Sequence, residues 1–120
     1  MILVDTSIWI DHLHKNDTDL VRLLSSNGVA THSMVIGELA LGTLRDRALV
    51  LELLDNLPRA TEATHDEAML LVNKEALYGR GLSLVDVHIL AASLLTPGTS
   101  LWTRDKRLKS AAQSLGVSAD

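Results

Sequence analysis

The sequence predicts an α/β fold: a single-domain three-layer sandwich with a short-stranded central parallel sheet flanked by helices. Three observations predict it. First, Ile2–Val4, Val29–Thr31 and Leu101–Trp102 are short apolar runs, as expected of strands covered on both faces. Second, the segments between them repeat apolar residues at helical spacing, and helices alternating with short strands indicate a parallel sheet. Third, helix starts carry Ser, Thr or Asp, helix ends carry Gly or Pro, and no linker, repeat or low-complexity stretch divides residues 1–120.

Taken in order, Ile2 to Val4 forms the first strand, and Thr6 or Ser7 caps a helix through Leu13, with Ile8, Trp9 and His12 or Leu13 facing the core. A polar turn, Lys15-Asn16-Asp17-Thr18, precedes a second helix bearing Leu20, Leu23 and Leu24, which Asn27-Gly28 closes. Val29 to Thr31 is the second strand. Ser33 then caps a helix through about Leu41, ended by Gly42. Leu49, Val50, Leu53, Leu54 and Leu57 have helical spacing within a segment from about Arg45 to Asn56, stopped by Pro58. A weak strand is expected over Arg59 to Glu62. Thr64 and Glu67 have the spacing of a capping box that opens a helix to about Tyr78. Gly79 and Gly81 break the chain before a helix capped by Ser83 and ended at Pro97-Gly98. Leu101-Trp102 is the last principal strand, Arg104 to Leu115 a helix, and Val117 an edge strand.

Composition narrows the function classes. Hydrophobic residues make up 47% and aromatics only 2%, so the core falls to Leu, Val, Ile and Ala, and the composition argues against base stacking on aromatic platforms. A chain of 120 residues buries roughly two-thirds of its unfolded surface. No apolar stretch approaches the roughly 20 residues of a membrane span, and no basic region, apolar run and cleavage site open the chain. There are no cysteines, hence no disulfide, thiolate metal site or thiol nucleophile. A cytoplasmic protein is expected. The net charge of -4 argues against broad electrostatic capture of nucleic acid, though local patches matter more than the total.

Asp5, Glu38, Asp86 and Asp105 each sit where an apolar run meets a helix start, or within the first turns of that helix. In a parallel sheet the strand C-termini and following helix N-termini share one edge, where ligands bind. These distant acids would therefore converge. Clustered carboxylates repel one another unless a hard cation such as Mg²⁺ or Mn²⁺ joins them, which points to metal-dependent phosphodiester chemistry. Thr6, Ser7 and Thr103 supply hydroxyls that can orient a carboxylate or a water. Each aspartate also has a purely structural reading: Asp5 as an N-cap, Asp86 in a capping box behind Ser83, and Asp105 in a helix first turn behind Thr103. Glu38, set among Val35, Ile36, Leu39 and Leu41, is expected to have a partner such as Arg45 or to lie at the solvent boundary.

Asp5-Thr6-Ser7 after an apolar strand, Glu38 in Ser33-Met34-Val35-Ile36-Gly37-Glu38-Leu39, Asp86 in Ser83-Leu84-Val85-Asp86, and Thr103-Arg104-Asp105 resemble the acidic motifs of the PIN domain. More closely, the chain resembles the VapC toxins of bacterial toxin–antitoxin pairs over essentially its whole length. The resemblance implies a Mg²⁺- or Mn²⁺-dependent endoribonuclease that leaves a 5′-phosphate, and a homodimer neutralised by a co-expressed antitoxin. It also implies that Asp5 and Asp86 are the main metal ligands, with Glu38 and Asp105 completing the site.

Arg104, Lys106 and Arg107 crowd beside Asp105 and are candidates for substrate binding, or are simply a solvated helix face. His88, two residues beyond Asp86, is rotated about 200° from it on an ideal helix and reads as a core or interface histidine. Trp9 and Trp102 read as core or dimer contacts. Leucines on the helices at 18–27 and 45–57 could form an antitoxin groove, a dimer face or core. Two other functions remain open at this point. One is a receiver domain with a phospho-accepting aspartate, against which the first strand ends in one acid rather than a pair. The other is a catalytically silent PIN-like binding module.

Overall fold

The computed structural model describes residues 1–120. Strands and helices follow in the order β1 (Ile2–Val4), α1 (Thr6–His14), α2 (Thr18–Ser25), β2 (Val29–Ala30), α3 (Ser33–Leu41), α4 (Arg47–Asp55), α5 (His65–Lys74), α6 (Leu84–Leu95), β3 (Ser100–Trp102) and α7 (Lys106–Ser114). The strands form one parallel sheet in the order β2-β1-β3. Leu3 and Val4 are successive residues of β1, so their side chains leave opposite faces of the sheet. Both are 0% exposed, so both faces are covered and the three-layer expectation holds.

Burial explains why such short strands suffice. Val29, Ala30 and Leu101 complete an apolar sheet, and α6 is buried from Val87 through Ser93. On α7, Leu108, Ala111 and Ala112 are fully buried. A fully buried Leu contributes about 1.5–3 kcal/mol relative to an exposed one, so the packed layers stabilise the sheet more than its few ladder bonds do.

The register fixes what lies at the C-terminal edge. Val4 pairs with Trp102, so Asp5 and Thr103 emerge side by side. Leu3 pairs with Ala30, which sets Thr31 and His32 on the other flank of β1.

Several boundaries differ from the sequence expectation, each for a local reason. The helix expected from Ser33 is capped by His32, whose Nδ1 accepts the Met34 N–H at 3.0 Å. Ser33 is free for another contact: its N–H and hydroxyl both donate to Glu62. The segment 59–62 forms no strand, only a single bridge between Thr31 and Arg59. Val117 likewise precedes a lone Leu101–Ser118 bridge rather than lying in a strand. The helix after Thr64 ends at Lys74, not near Tyr78, because Ala76 takes φ 51° and turns the chain so that Leu77 is buried. The fourth helix begins at Arg47 rather than Arg45, behind Asp46 at φ 50°. The last helix starts at Lys106, with Asp105 as its N-cap rather than inside its first turn. The capping boxes at Thr64–Glu67 and Ser83–Asp86 are both present as expected.

Gly37 lies inside α3, exposed, and a Cβ built there meets nothing within 4 Å. Removing glycine's extra freedom in the unfolded chain should therefore raise stability in Gly37→Ala by about 0.5–1 kcal/mol, measured by urea unfolding in EDTA. A loss of stability would contradict the open space around this position.

Candidate active site

Asp5 is the N-cap of α1 by backbone position, yet its side chain makes no capping bond. The carboxylate turns to the sheet edge instead. Its Oδ2 accepts the Thr103 hydroxyl at 2.7 Å and the Ser7 hydroxyl at 3.0 Å, and no hydrogen bond reaches Oδ1. Asp5 is only 6% exposed, so this is an anion held nearly out of solvent by two hydroxyls. The hydroxyls are themselves held, since the Arg104 N–H donates to Ser7 Oγ at 3.2 Å and the Asp105 N–H to Thr103 Oγ1 at 3.1 Å. The loop after β3 and the first turn of α1 thus form one interlocked unit.

Glu38 is exposed rather than buried in its apolar surroundings, and its partner is not Arg45 but Thr6, whose hydroxyl donates to Oε1 at 2.8 Å. That bond ties α3 to the residue next to Asp5. Asp86 closes the capping box of α6, with Oδ2 accepting the Ser83 N–H at 2.9 Å. Asp105 caps α7, with Oδ1 accepting the N–H groups of Arg107 and Leu108, each at 3.0 Å.

A common pattern emerges. Each of the four acids has one oxygen fixed by protein donors and the other, Oδ1 of Asp5 and Asp86, Oδ2 of Asp105 and Oε2 of Glu38, free of any protein hydrogen bond. Burial raises the pKa of the half-buried Asp86 carboxyl above its ordinary value; the Ser83 bond opposes this, while the charges of Asp5 and Asp105 add to it. Asp86 therefore lies within electrostatic reach of both. No group of three or more carboxylates and histidines could hold a metal ion as a ready-made cage. Mg²⁺ does not need one, since it keeps several waters and takes one or two carboxylates directly, and the donors here are the hard oxygens it prefers.

The basic residues separate into different situations. The Arg104 guanidinium donates to Asp11 at 2.6 Å and to Asp17, and stands 5.7 Å from the centre of the Trp102 ring. Its side chain is thus paired with two carboxylates of the protein itself. Lys106 and Arg107 are exposed and make no ion pair. Lys106 does not contact Asp5, so the lysine–aspartate contact of a receiver domain is absent. His88 is a buried histidine of α6, its ring 6.4 Å from that of His32. Trp9 is core, while Trp102 is half-buried beneath Arg104.

Sequence reading missed Asp11 and Asp17 as partners of Arg104. Both precede it by more than 80 positions, and no local pattern announces so distant a pairing. The Asp17 cap of α2, by contrast, had a legible signal in Asp17-Thr18-Asp19-Leu20.

A raised native pKa at Asp86 has a definite consequence for metal-free protein. The native state holds this proton more tightly than the unfolded chain, so ionisation costs stability as pH rises from the ordinary carboxylate range through the native value. Asp86→Asn removes that cost while its amide oxygen can still accept the Ser83 N–H. In EDTA the variant should melt above wild type at pH 7, and the difference should vanish toward pH 3. A variant melting below wild type at pH 7 would show that capping outweighs repulsion here.

The PIN domain family profile matches residues 2–113. Two curated relatives, each named Ribonuclease VapC32, come from Mycobacterium tuberculosis strains CDC 1551 / Oshkosh and H37Rv. Each is 50% identical over 117 residues, covering 98% of this chain and 94% of the relative. A family match over nearly the whole chain, a parallel α/β sandwich, and half the residues shared with VapC proteins lead to one conclusion: this chain belongs to the PIN-domain family and is a member of its VapC type.

Proposed function

We propose that this protein is a Mg²⁺- or Mn²⁺-dependent endoribonuclease, the toxin of a type II toxin–antitoxin pair. The observation that carries the proposal is the set of four carboxylates, each with one oxygen anchored by the protein and one left free. Capping and folding need only the anchored oxygens. The relatives' name, Ribonuclease VapC32, gives the substrate class.

Asp5 and Asp86 would hold the ion through their free oxygens. When bound, Mg²⁺ or Mn²⁺ supplies Lewis-acid polarisation of the scissile phosphate and lowers the pKa of a water. The rest falls to the chain's own residues. Thr103 and Ser7 orient Asp5, and Ser83 orients Asp86, so neither carboxylate has to be ordered during binding. Glu38, pinned by Thr6, and Asp105, pinned at the start of α7, present acceptors that can position the attacking water and take its proton. The site thus needs no cysteine, serine or histidine nucleophile.

The remaining partners follow from the same reading. The working unit spans residues 1–120 as one domain, acts in the cytoplasm, and pairs as a homodimer. No helix is long and apolar enough to cross a membrane. A cleft of about 660 Å³ lined by Ile10, Leu13, Leu39, Leu44, Glu38 and Arg45 opens beside the acidic edge. Its apolar wall and the Glu38 anion suit an antitoxin segment carrying leucines and an arginine. Leu49 and Leu53 of α4 are also exposed and available to a partner, whereas Leu20 of α2 is core.

Antitoxin-free protein incubated with RNA and Mg²⁺ or Mn²⁺ should yield fragments with 5′-phosphate ends, and EDTA should stop the reaction. Asp5→Asn and Asp86→Asn should each cut the rate by more than roughly a hundredfold with the fold intact by circular dichroism, since an amide is a poor ligand for a hard cation. Wild-type rates in either variant would remove that residue from the metal site.

A further inference from the structure

Two arginines near the start of α7, three positions apart, meet different surroundings, and the difference bears on how RNA is held. Arg104 is paired with Asp11 and Asp17 and stands over Trp102. Arg107 has no carboxylate partner, although acidic residues lie close by in the chain and the fold. Its backbone N–H is bonded to Asp105, which places it at the rim of the acidic edge. Its side chain crosses the loop leading into α6, over Gly81. A Cβ on Gly81 would stand 2.6 Å from an Arg107 guanidinium nitrogen and 2.7 Å from its Cδ. Gly81 also has φ +74°, a backbone conformation that favours glycine. The loop therefore leaves a trough in which the arginine lies, two residues before the Ser83 cap that orients Asp86.

We infer that Arg107, seated in the Gly81 trough, is the side chain that contacts a backbone phosphate of the RNA next to the scissile bond, and that Arg104 is a positioning residue with no contact to RNA. The assignment rests on the ribonuclease proposal and adds to it the residue that holds the substrate. A chain of net charge -4 that must bring a polyanion to four carboxylates needs cationic contacts nearby, and a guanidinium can grip phosphate oxygens through two parallel N–H bonds. Arg107 has its donors free of carboxylates and beside the site. Arg104 is engaged in the fold: through Asp11 and Asp17 it fastens the β3–α7 loop to α1 and to the start of α2, while its own N–H holds Ser7, a partner of Asp5.

The test uses the full chain and a single-stranded 2′-O-methyl RNA that cannot be cleaved, with binding followed by fluorescence anisotropy across a salt series. Arg107→Gln should weaken binding roughly tenfold, the cost of one charged hydrogen-bonded contact. It should also reduce the slope of log K against log salt by about 0.7, the value for one phosphate contact on a single strand. Gly81→Ala should act in the same direction by displacing the guanidinium. Arg104→Gln should leave the slope at the wild-type value while lowering the melting temperature. With cleavable RNA, Arg107→Gln should act mainly on KM, and its Mn²⁺ affinity, read by titration calorimetry, should match wild type. A wild type that cleaves while Arg107→Gln binds with unchanged affinity and slope would overturn the assignment alone, as would a lowered slope in Arg104→Gln. A wild type that neither binds nor cleaves RNA would overturn the ribonuclease proposal and the assignment together.

Discussion

Thr103 and Asp5 are 98 positions apart in the chain and 2.7 Å apart in the fold, and the acidic edge depends on that contact. The contact is possible only because β1 and β3 run parallel and in register, so that the residues following Val4 and Trp102 leave the sheet together. Parallel pairing in turn requires crossover helices, and these cover both faces of β1. The hydroxyl is therefore not an accessory placed on a finished scaffold. It is the point where strand pairing, helix packing and the orientation of an anion meet.

The same economy recurs around the site. Backbone N–H groups at the starts of α6 and α7 satisfy Asp86 and Asp105, so groups that every helix leaves unpaired also fix the acids. Thr6 does for Glu38 what Ser7 and Thr103 do for Asp5. Each carboxylate is oriented by a nearby hydroxyl or helix-start N–H, and at Asp86 desolvation, with the charges of Asp5 and Asp105, raises the pKa.

Much of the fold was legible in the residues because its determinants are local. Short apolar runs, Ile2–Val4 and Leu101–Trp102, marked β1 and β3, and Thr64–Glu67 and Ser83–Asp86 marked helix starts through two reciprocal hydrogen bonds each. The helix-start positions of Asp5, Asp86 and Asp105 were legible because each follows an apolar run or a capping residue in the sequence. What stayed hidden was decided over long distances or by backbone strain. Segment 59–62 makes a single bridge where a strand was expected, and Glu62 bonds to Ser33 across 29 positions. The left-handed turn at Ala76 ends α5 early and is followed by the buried Leu77. At the site, sequence placed Arg104 with Lys106 and Arg107 because all three are basic and adjacent. Only the fold brings Asp11 and Asp17 to the first of them.

The two lone bridges have a consequence of their own. A three-stranded sheet has two outer strands, and each exposes a row of backbone groups to which another chain could add. Here coil residues occupy both borders: Arg59 beside Thr31 at the end of β2, and Ser118 beside Leu101 on β3. Strands of two or three residues offer little length for a foreign strand to extend, and the bridges occupy part of it. A molecule that leaves Leu41, Leu49, Leu53 and Leu70 uncovered thus offers a partner apolar side chains on its helices rather than a long open strand edge.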